Sequence, residues 1–142
     1  MRVGEFLMIY LSGIHALNLN CNLLTCGDWH QSALKWEKLT LLDSKDSIFE
    51  NYGIEYNKQI PKTNKKYPVA NHIRALLDLL VLGYFPLAEG MKEDFICNEE
   101  YTNEIFDKVY LMKSLPNWNE IDKFMEKEYR LEWLEYKEGK KS

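Results

Sequence analysis

Two histidines, two cysteines and an aspartate lie close together between residues 15 and 30, and side chains of these types bind metals or act as nucleophiles. His15, Cys21, Cys26 and His30 offer four nitrogen and sulfur ligands, which is the donor set of a tetrahedral zinc site. Structural zinc sites usually contain a tight C-x₂₋₄-C pair. The four residues between Cys21 and Cys26 are at the loose end of that range. Zinc binding is therefore one interpretation of the segment.

The same segment also permits a cysteine–histidine catalytic centre. Cys26 precedes a helix that we predict to begin at Asp28, and the free amides of a helix start stabilise a thiolate. His30 lies one turn into that helix, His15 is a second candidate base, and Asp28 can orient an imidazole. Asp28 is also the predicted helix cap, however, and a capping side chain is not free for that task.

A third interpretation gives these residues a structural role. Cys21 and Cys26 are then small apolar core groups, residues 25–28 form a turn into a capped helix, and His30 is solvated or hydrogen-bonded. This interpretation needs the fewest coincidences. We therefore commit to no catalytic residue, no metal ligand and no cofactor, and we rank an enzymatic activity below a binding function.

Hydrophobic periodicity predicts about four helices and two or three short strands, with the strands near the N-terminus. We predict strands over residues 6–11 and 39–43, with an extended segment over 13–24, and helices over 28–36, 68–82, 99–112 and 117–137. Residues 44–67 are predicted as turns with one short helix at most. This order indicates a mainly helical α+β fold. The length of 142 residues predicts a single domain, with residues 1–7 as an extension and 138–142 as a frayed tail.

Charge and composition narrow the function classes. The chain has 18 Lys and Arg against 22 Asp and Glu, a net charge of -4, which disfavours nonspecific nucleic-acid binding. No apolar run reaches the roughly 20 residues that cross a bilayer, so we expect no membrane partner. Three cysteines cannot all pair within the chain, and no secretory leader is recognisable. These features predict a reducing, cytoplasmic location.

Aromatic residues make up 13% of the chain, and the predicted C-terminal helix carries rings around more than one face. Such a helix must bury its second side against another element or another chain. Tyr and Trp are the side chains that most often anchor protein interfaces. We therefore predict a partner-binding surface, with a larger core as the alternative. Its predicted contact residues are Trp118, Tyr129, Trp133 and Tyr136.

Four segments, GIHALNL, TCGDWH, ANHIRALLDLL and NWNEIDKFMEKEY, resemble a family of short bacterial proteins of unassigned function. The resemblance covers nearly the whole chain from Met8. It implies no activity and no site residue, but an association with toxin–antitoxin or phage-defence genes. We therefore predict a cytoplasmic protein-binding module, as an antitoxin, inhibitor or accessory subunit. The alternative is a small Cys/His enzyme or zinc protein centred on His15, Cys26, Asp28 and His30.

Overall fold

The computed structural model describes residues 9–27 and 34–141. They form the predicted mainly helical α+β fold, with one strand more than expected. The strands are β1 (Ile9–Leu11), β2 (Leu41–Asp43), β3 (Ile54–Gln59) and β4 (Lys66–Ala70). The α-helices are α1 (Gly13–Leu17), α2 (His72–Leu82), α3 (Phe85–Ala88), α4 (Thr102–Tyr110), α5 (Trp118–Tyr129) and α6 (Leu131–Lys141). In these two ranges, no helix is long and apolar enough to span a bilayer.

Within the described residues the four strands form one sheet in the order β2-β1-β4-β3, and β2 and β3 are the edges of that part of the sheet. β1 pairs antiparallel with β2 and parallel with β4, and β3 and β4 form an antiparallel hairpin. The strand predicted over 39–43 is confirmed by β2, and β1 occupies the described part of the one predicted over 6–11. The hairpin was not predicted, because β3 is a largely solvent-facing edge strand whose polar residues look like a loop.

The segment after β1 is a short helix, so the extended structure predicted from residue 13 is wrong there. α1 begins at Gly13, whose φ of +63° suits glycine, and its Ala16 and Leu17 are buried. The Asn18 side chain donates a hydrogen bond to the Ile14 carbonyl at 2.9 Å, which satisfies the end of the helix. Burial against the core has overridden the period-two pattern of this sequence.

Helix α2 is the centre of the core, since every residue from His72 to Leu80 is buried. It begins four residues later than predicted, because Pro68 belongs to strand β4. The cap is Asn71, whose side chain accepts a hydrogen bond from the Arg74 amide at 2.9 Å. The helix ends as predicted at Gly83, which has φ +81°.

The C-terminal helix predicted over 117–137 is two helices, α5 and α6, separated at Arg130 with φ +56°. The break lets α6 fold back on α5, where the Trp133 indole donates to Asp122 at 2.8 Å. Asn117 does not cap α5 with its side chain, but donates to the Leu80 and Val81 carbonyls at the end of α2. The prediction over 99–112 is confirmed by α4 with a 3₁₀ turn at each end.

Candidate functional site

The first predicted site residue, His15, is held in a structural contact on α1. Its Nε2 lies 3.0 Å from the Lys35 carbonyl oxygen, so this nitrogen carries the proton and donates it. Its Nδ1 accepts from the Thr40 hydroxyl at 3.1 Å. The ring packs edge-on against Trp36, with centroids 5.0 Å apart. With both nitrogens engaged, His15 fixes the segment before β2 onto α1 and is available neither as a base nor as a metal ligand.

Cys26 forms a disulfide with Cys97, with Cα atoms 5.7 Å apart and a sequence separation of 71. The amides of Cys26 and Gly27 also donate to the Phe95 carbonyl, at 2.9 and 3.1 Å. A disulfide sulfur has no thiolate to attack a substrate or bind zinc. The predicted nucleophilic and metal-binding roles of Cys26 are therefore wrong for this form of the protein. Its predicted place as a core group is also wrong, because the residue is exposed.

Asp28 and His30, the other members of the predicted centre, lie outside the described residues. Among the residues the structure describes, no group of three or more His, Cys, Asp and Glu side chains is placed to hold a metal ion. The described members of the predicted zinc set do not converge, since His15 contacts Thr40 and Lys35 while Cys26 is bonded to Cys97.

A different cysteine and histidine are connected through one hydroxyl. Cys21 Sγ lies 3.6 Å from Thr25 Oγ1, which in turn lies 2.6 Å from His72 Nδ1. His72 Nε2 is 2.6 Å from the Leu19 carbonyl oxygen, and a carbonyl only accepts, so Nε2 holds the ring proton of the neutral imidazole. Nδ1 then accepts from the Thr25 hydroxyl, whose oxygen accepts from the Cys21 thiol. These contacts form a proton relay from sulfur to imidazole, which we call the Cys21 relay.

The loop from Leu19 to Gly27 wraps around the His72 ring and buries it. A Cβ atom on Gly27 would lie 2.6 Å from His72 Cε1 and 2.6 Å from the Leu17 carbonyl oxygen, so no larger residue fits without a shift. Burial raises the pKa of the Cys21 thiol, but the hydrogen bonds from His72, and the charge that its ring carries once it has taken a proton, outweigh that effect and bring the pKa below its ordinary value. The arrangement therefore favours the thiolate form of Cys21 more than an isolated thiol would.

Arg74 and Asp78 form a buried ion pair on α2, as their spacing of four residues predicts. Arg74 Nε lies 3.0 Å from Asp78 Oδ1, and the side chains are 0% and 4% exposed. Tyr10 and Ser12 both donate their hydroxyl protons to Asp78 Oδ2 at 2.6 Å. Burial, followed by the charge of Asp78, raises the pKa of Tyr10 above its ordinary range.

The rest of the Arg74 guanidinium is also satisfied. One terminal nitrogen donates to the Glu50 and Tyr52 carbonyls at 2.8 and 2.6 Å, and the other donates to the Tyr10 hydroxyl at 2.8 Å. We call Tyr10, Ser12, Arg74 and Asp78 the buried polar network. A buried charge pair in which every guanidinium nitrogen and both carboxylate oxygens have hydrogen-bond partners is a rigid structural element.

A cleft of about 320 Å³ opens beside this network, between the edge strand β2 and the C-terminal end of α2. Tyr10 and Asp78 belong to its lining. Its walls are mostly apolar, with polar groups from the turn after β2. The wall residues are Leu42, Asp43, Asp46, Ser47, Ile48, Val81, Leu82 and Leu115. Sequence reasoning missed the cleft, because its residues come from four separate segments of the chain.

The aromatic residues of α5 and α6 form a core rather than a surface. Tyr129 and Trp133 are 2% and 0% exposed, so the prediction that they contact a partner is wrong. Phe106 lies at the centre of this cluster, with ring centroids 4.9 Å from Tyr129, 5.1 Å from Trp133 and 5.3 Å from Tyr136. Trp118 and Tyr136 are half-buried at its margin. The alternative interpretation of the aromatic content, a larger core, describes this region.

The chain was compared with protein-family models, with curated proteins and with solved structures. None of the three comparisons finds a match. The function must therefore be argued from the geometry of the two candidate sites, the cleft and the Cys21 relay.

Proposed function

We propose that the protein is a protein-binding module whose cleft beside β2 receives an apolar side chain of a partner, next to a basic side chain. The observation that carries this proposal is the set of apolar side chains left in contact with solvent around the cleft. Ile48 and Leu82 are 48% and 41% exposed. Concave, apolar surfaces with a few polar groups are typical of binding sites in folded proteins.

The size of the cleft favours an anchoring side chain over a large ligand. Its volume of about 320 Å³ is near the lower end of the range of roughly 300–1,000 Å³ that is typical of ligand pockets. β2 is an edge strand, so an extended partner segment can pair with it while one side chain enters the cleft. The buried polar network beneath the cleft keeps its floor rigid, which lowers the entropic cost of binding.

The charge of the rim favours a basic partner. Asp43 and Asp46 lie in the cleft wall, and Lys45 approaches Asp43 at 3.8 Å, so the Asp46 carboxylate is not offset by this pair. The carboxylate of Asp78 is already neutralised by Arg74. The net charge of -4 adds a long-range attraction for a cationic segment.

The narrower role, as a cytoplasmic antitoxin, inhibitor or accessory subunit of a toxin or defence system, is supported only by the sequence resemblance. Its test is co-expression with each neighbouring open reading frame. An antitoxin is expected to restore growth that the neighbour alone stops, and the Leu82→Glu variant is expected to lose that rescue.

The binding proposal is tested with random dodecapeptides displayed on phage and selected on the purified protein. We expect enrichment of peptides in which Lys or Arg lies within a few residues of a large apolar side chain. Synthetic versions are expected to bind with affinity that falls as salt rises, because the rim contact is electrostatic.

The matched variants are Leu82→Glu, in the cleft, and Leu111→Glu, on a 3₁₀ turn outside it, where Leu111 is 57% exposed. We expect the cleft variant to lose peptide binding at least about tenfold, since it places a charge in an apolar wall. The control variant should bind normally. Selection that enriches no motif, or peptides that bind both variants equally well, would overturn the proposal.

A further inference from the structure

Two of the three cysteines of the chain lie in the loop from Leu19 to Gly27, and the third is bonded to that loop. Cys26 and Cys97 are joined in an exposed disulfide, and Cys21 is a free, half-buried thiol five positions before Cys26. The Cys21 sulfur contacts Thr25, the residue that directly precedes Cys26. Both Thr25 and Gly27 lie against the His72 ring, which fixes the backbone on either side of Cys26.

We propose that Cys21, Cys26 and Cys97 form a thiol–disulfide exchange site, in which the Cys21 thiolate attacks Cys26 Sγ and displaces Cys97. A Cys21–Cys26 bond forms as the Cys26–Cys97 bond breaks, and Cys97 leaves as a thiolate. One disulfide and one thiol are present before and after the step, so no external oxidant or reductant is needed. The reverse step restores the original pairing.

The Cys21 relay provides the proton transfer that the attack needs. Cys21 gives its proton to the Thr25 oxygen as the Thr25 hydroxyl proton moves to His72 Nδ1, across contacts of 3.6 and 2.6 Å. Imidazole is the side chain suited to take a proton near neutral pH. The lowered pKa of Cys21 is consistent with this arrangement. Thr25 and His72 are therefore positioning residues for the Cys21 sulfur.

The departing sulfur also has a defined place. Cys97 Sγ lies 3.0 Å from the Glu93 carbonyl oxygen, which can accept a hydrogen bond from the Cys97 thiol once the thiolate has taken a proton from solvent. The two backbone hydrogen bonds from Cys26 and Gly27 to Phe95 do not depend on the disulfide. They keep Cys97 close to the loop after exchange, so the reaction can reverse.

Lys92, Glu93 and Glu99 lie beside Cys97, and β3 adds two charged side chains that contact the loop and offset one another. Lys58 Nζ donates to the Asn20 carbonyl at 2.6 Å, and Glu55 accepts from the Asn22 amide at 2.8 Å. Lys58 and Glu55 pair with each other at 3.1 Å. Exchange replaces a cross-link over 71 residues with a local ring between Cys21 and Cys26, and it frees an exposed thiol at Cys97.

The test is disulfide mapping after incubation of the oxidised protein without added thiol at pH 6 to 9. Thiols are trapped with N-ethylmaleimide under acid quench, and the unreduced protein is digested with trypsin. The starting disulfide joins the tryptic peptides 3–35 and 93–108, whereas the product disulfide lies inside 3–35. We expect the label to move from Cys21 to Cys97 with time, and faster at higher pH.

Two variants separate chemistry from structure. Cys21→Ser should keep the Cys26–Cys97 link and never label Cys97. Thr25→Val should keep the fold but raise the pKa of Cys21, and each unit of increase should slow exchange about threefold, because the loss of thiolate is partly offset by higher nucleophilicity. Thr25→Ser should restore the rate and the pH profile.

Three outcomes would overturn the proposal. The first is a cross-link between 3–35 and 93–108 that never changes at any pH. The second is label on Cys97 that appears equally in Cys21→Ser. The third is a folded, oxidised protein in which neither the Cys26–Cys97 nor the Cys21–Cys26 disulfide is found. None of these outcomes depends on peptide binding at the cleft, so the exchange proposal and the binding proposal are tested independently.

Discussion

Replacement of Asp78 by Asn should be among the most destabilising single changes in the chain. The carboxylate is 4% exposed on its side chain, pairs with Arg74 at 3.0 Å, and accepts two hydroxyl protons at 2.6 Å. Asparagine keeps the shape but removes the charge, and it leaves the Arg74 guanidinium buried without a counter-ion. Breaking a buried pair in this way costs about 3–5 kcal/mol.

That loss is a large share of the stability of the protein, since the free energy of unfolding of native domains is about 5–15 kcal/mol. At about 3 °C per kcal/mol for a chain of this length, we expect the melting temperature to fall by about 9–15 °C. Urea unfolding followed by circular dichroism measures the free energy directly, with an unchanged m-value showing that the unfolding mechanism is the same.

The control for Asp78→Asn is a double-mutant cycle with Arg74→Met. Removing both charges should be less damaging than the sum of the two single changes by at least about 1 kcal/mol, because neither ion is then left unpaired. Two results would refute this account of the buried polar network. One is an Asp78→Asn variant whose free energy of unfolding is within about 1 kcal/mol of the wild type. The other is a double variant whose loss of free energy equals the sum of the losses in the two single variants.

Three further changes test other parts of the fold. Cys97→Ser should lower the free energy of unfolding by about 4 kcal/mol in denaturant titrations, because the cross-link closes a loop of 71 residues. Gly27→Ala should lower the free energy of unfolding by about 1–3 kcal/mol, because the new Cβ would lie 2.6 Å from His72 Cε1. Gly139→Ala is the control, since it has open space around it and should be neutral or stabilising. Thermal melts compare the two variants. Burial raises the pKa of Tyr10 and of Tyr129, so both stay protonated in the folded chain while unfolded tyrosine ionises near pH 10. The contribution of these two tyrosines to the free energy of unfolding is complete below about pH 10. Above pH 10 it falls by about 1.4 kcal/mol per pH unit for each residue. Loss of circular dichroism should therefore coincide with the rise in tyrosinate absorbance.

Local sequence signals predicted the elements that are determined by local chemistry. Gly83 ends α2, Asn98 caps the turn before α4 with a bond to the Glu100 amide, and the short apolar run before Ser44 is strand β2. Each depends on residues within a few positions of one another, which is the range over which capping and periodicity act. The fold class followed from the order of these elements.

The candidate sites could not be predicted, because their contacts are long-range. Thr25 and His72 are 47 positions apart, and Cys26 and Cys97 are 71 apart. The dense segment of the sequence suggested that its own histidines were the partners of its cysteines. In the described part of that segment, His15 instead bonds to Thr40 and Lys35, while a histidine from α2 completes the relay. Proximity in sequence was therefore a poor guide to proximity in space.

Helix α2 connects the two candidate sites and determines how they should be tested. His72, its first residue, positions the Cys21 relay, while Val81 and Leu82 at its other end belong to the cleft. Between them the helix is buried on all sides, so changes such as Asp78→Asn perturb stability as a whole and report on neither function alone. Variants that distinguish binding from exchange must come from side chains in contact with solvent, such as Leu82, or from the relay thiol, Cys21. Leu82 is the last residue of α2, whereas Cys21 is connected through Thr25 to His72, the first residue of that helix. Because the two sites are at opposite ends of the helix, their effects on stability should be additive, and a measured coupling between them would show that α2 transmits a change from one site to the other.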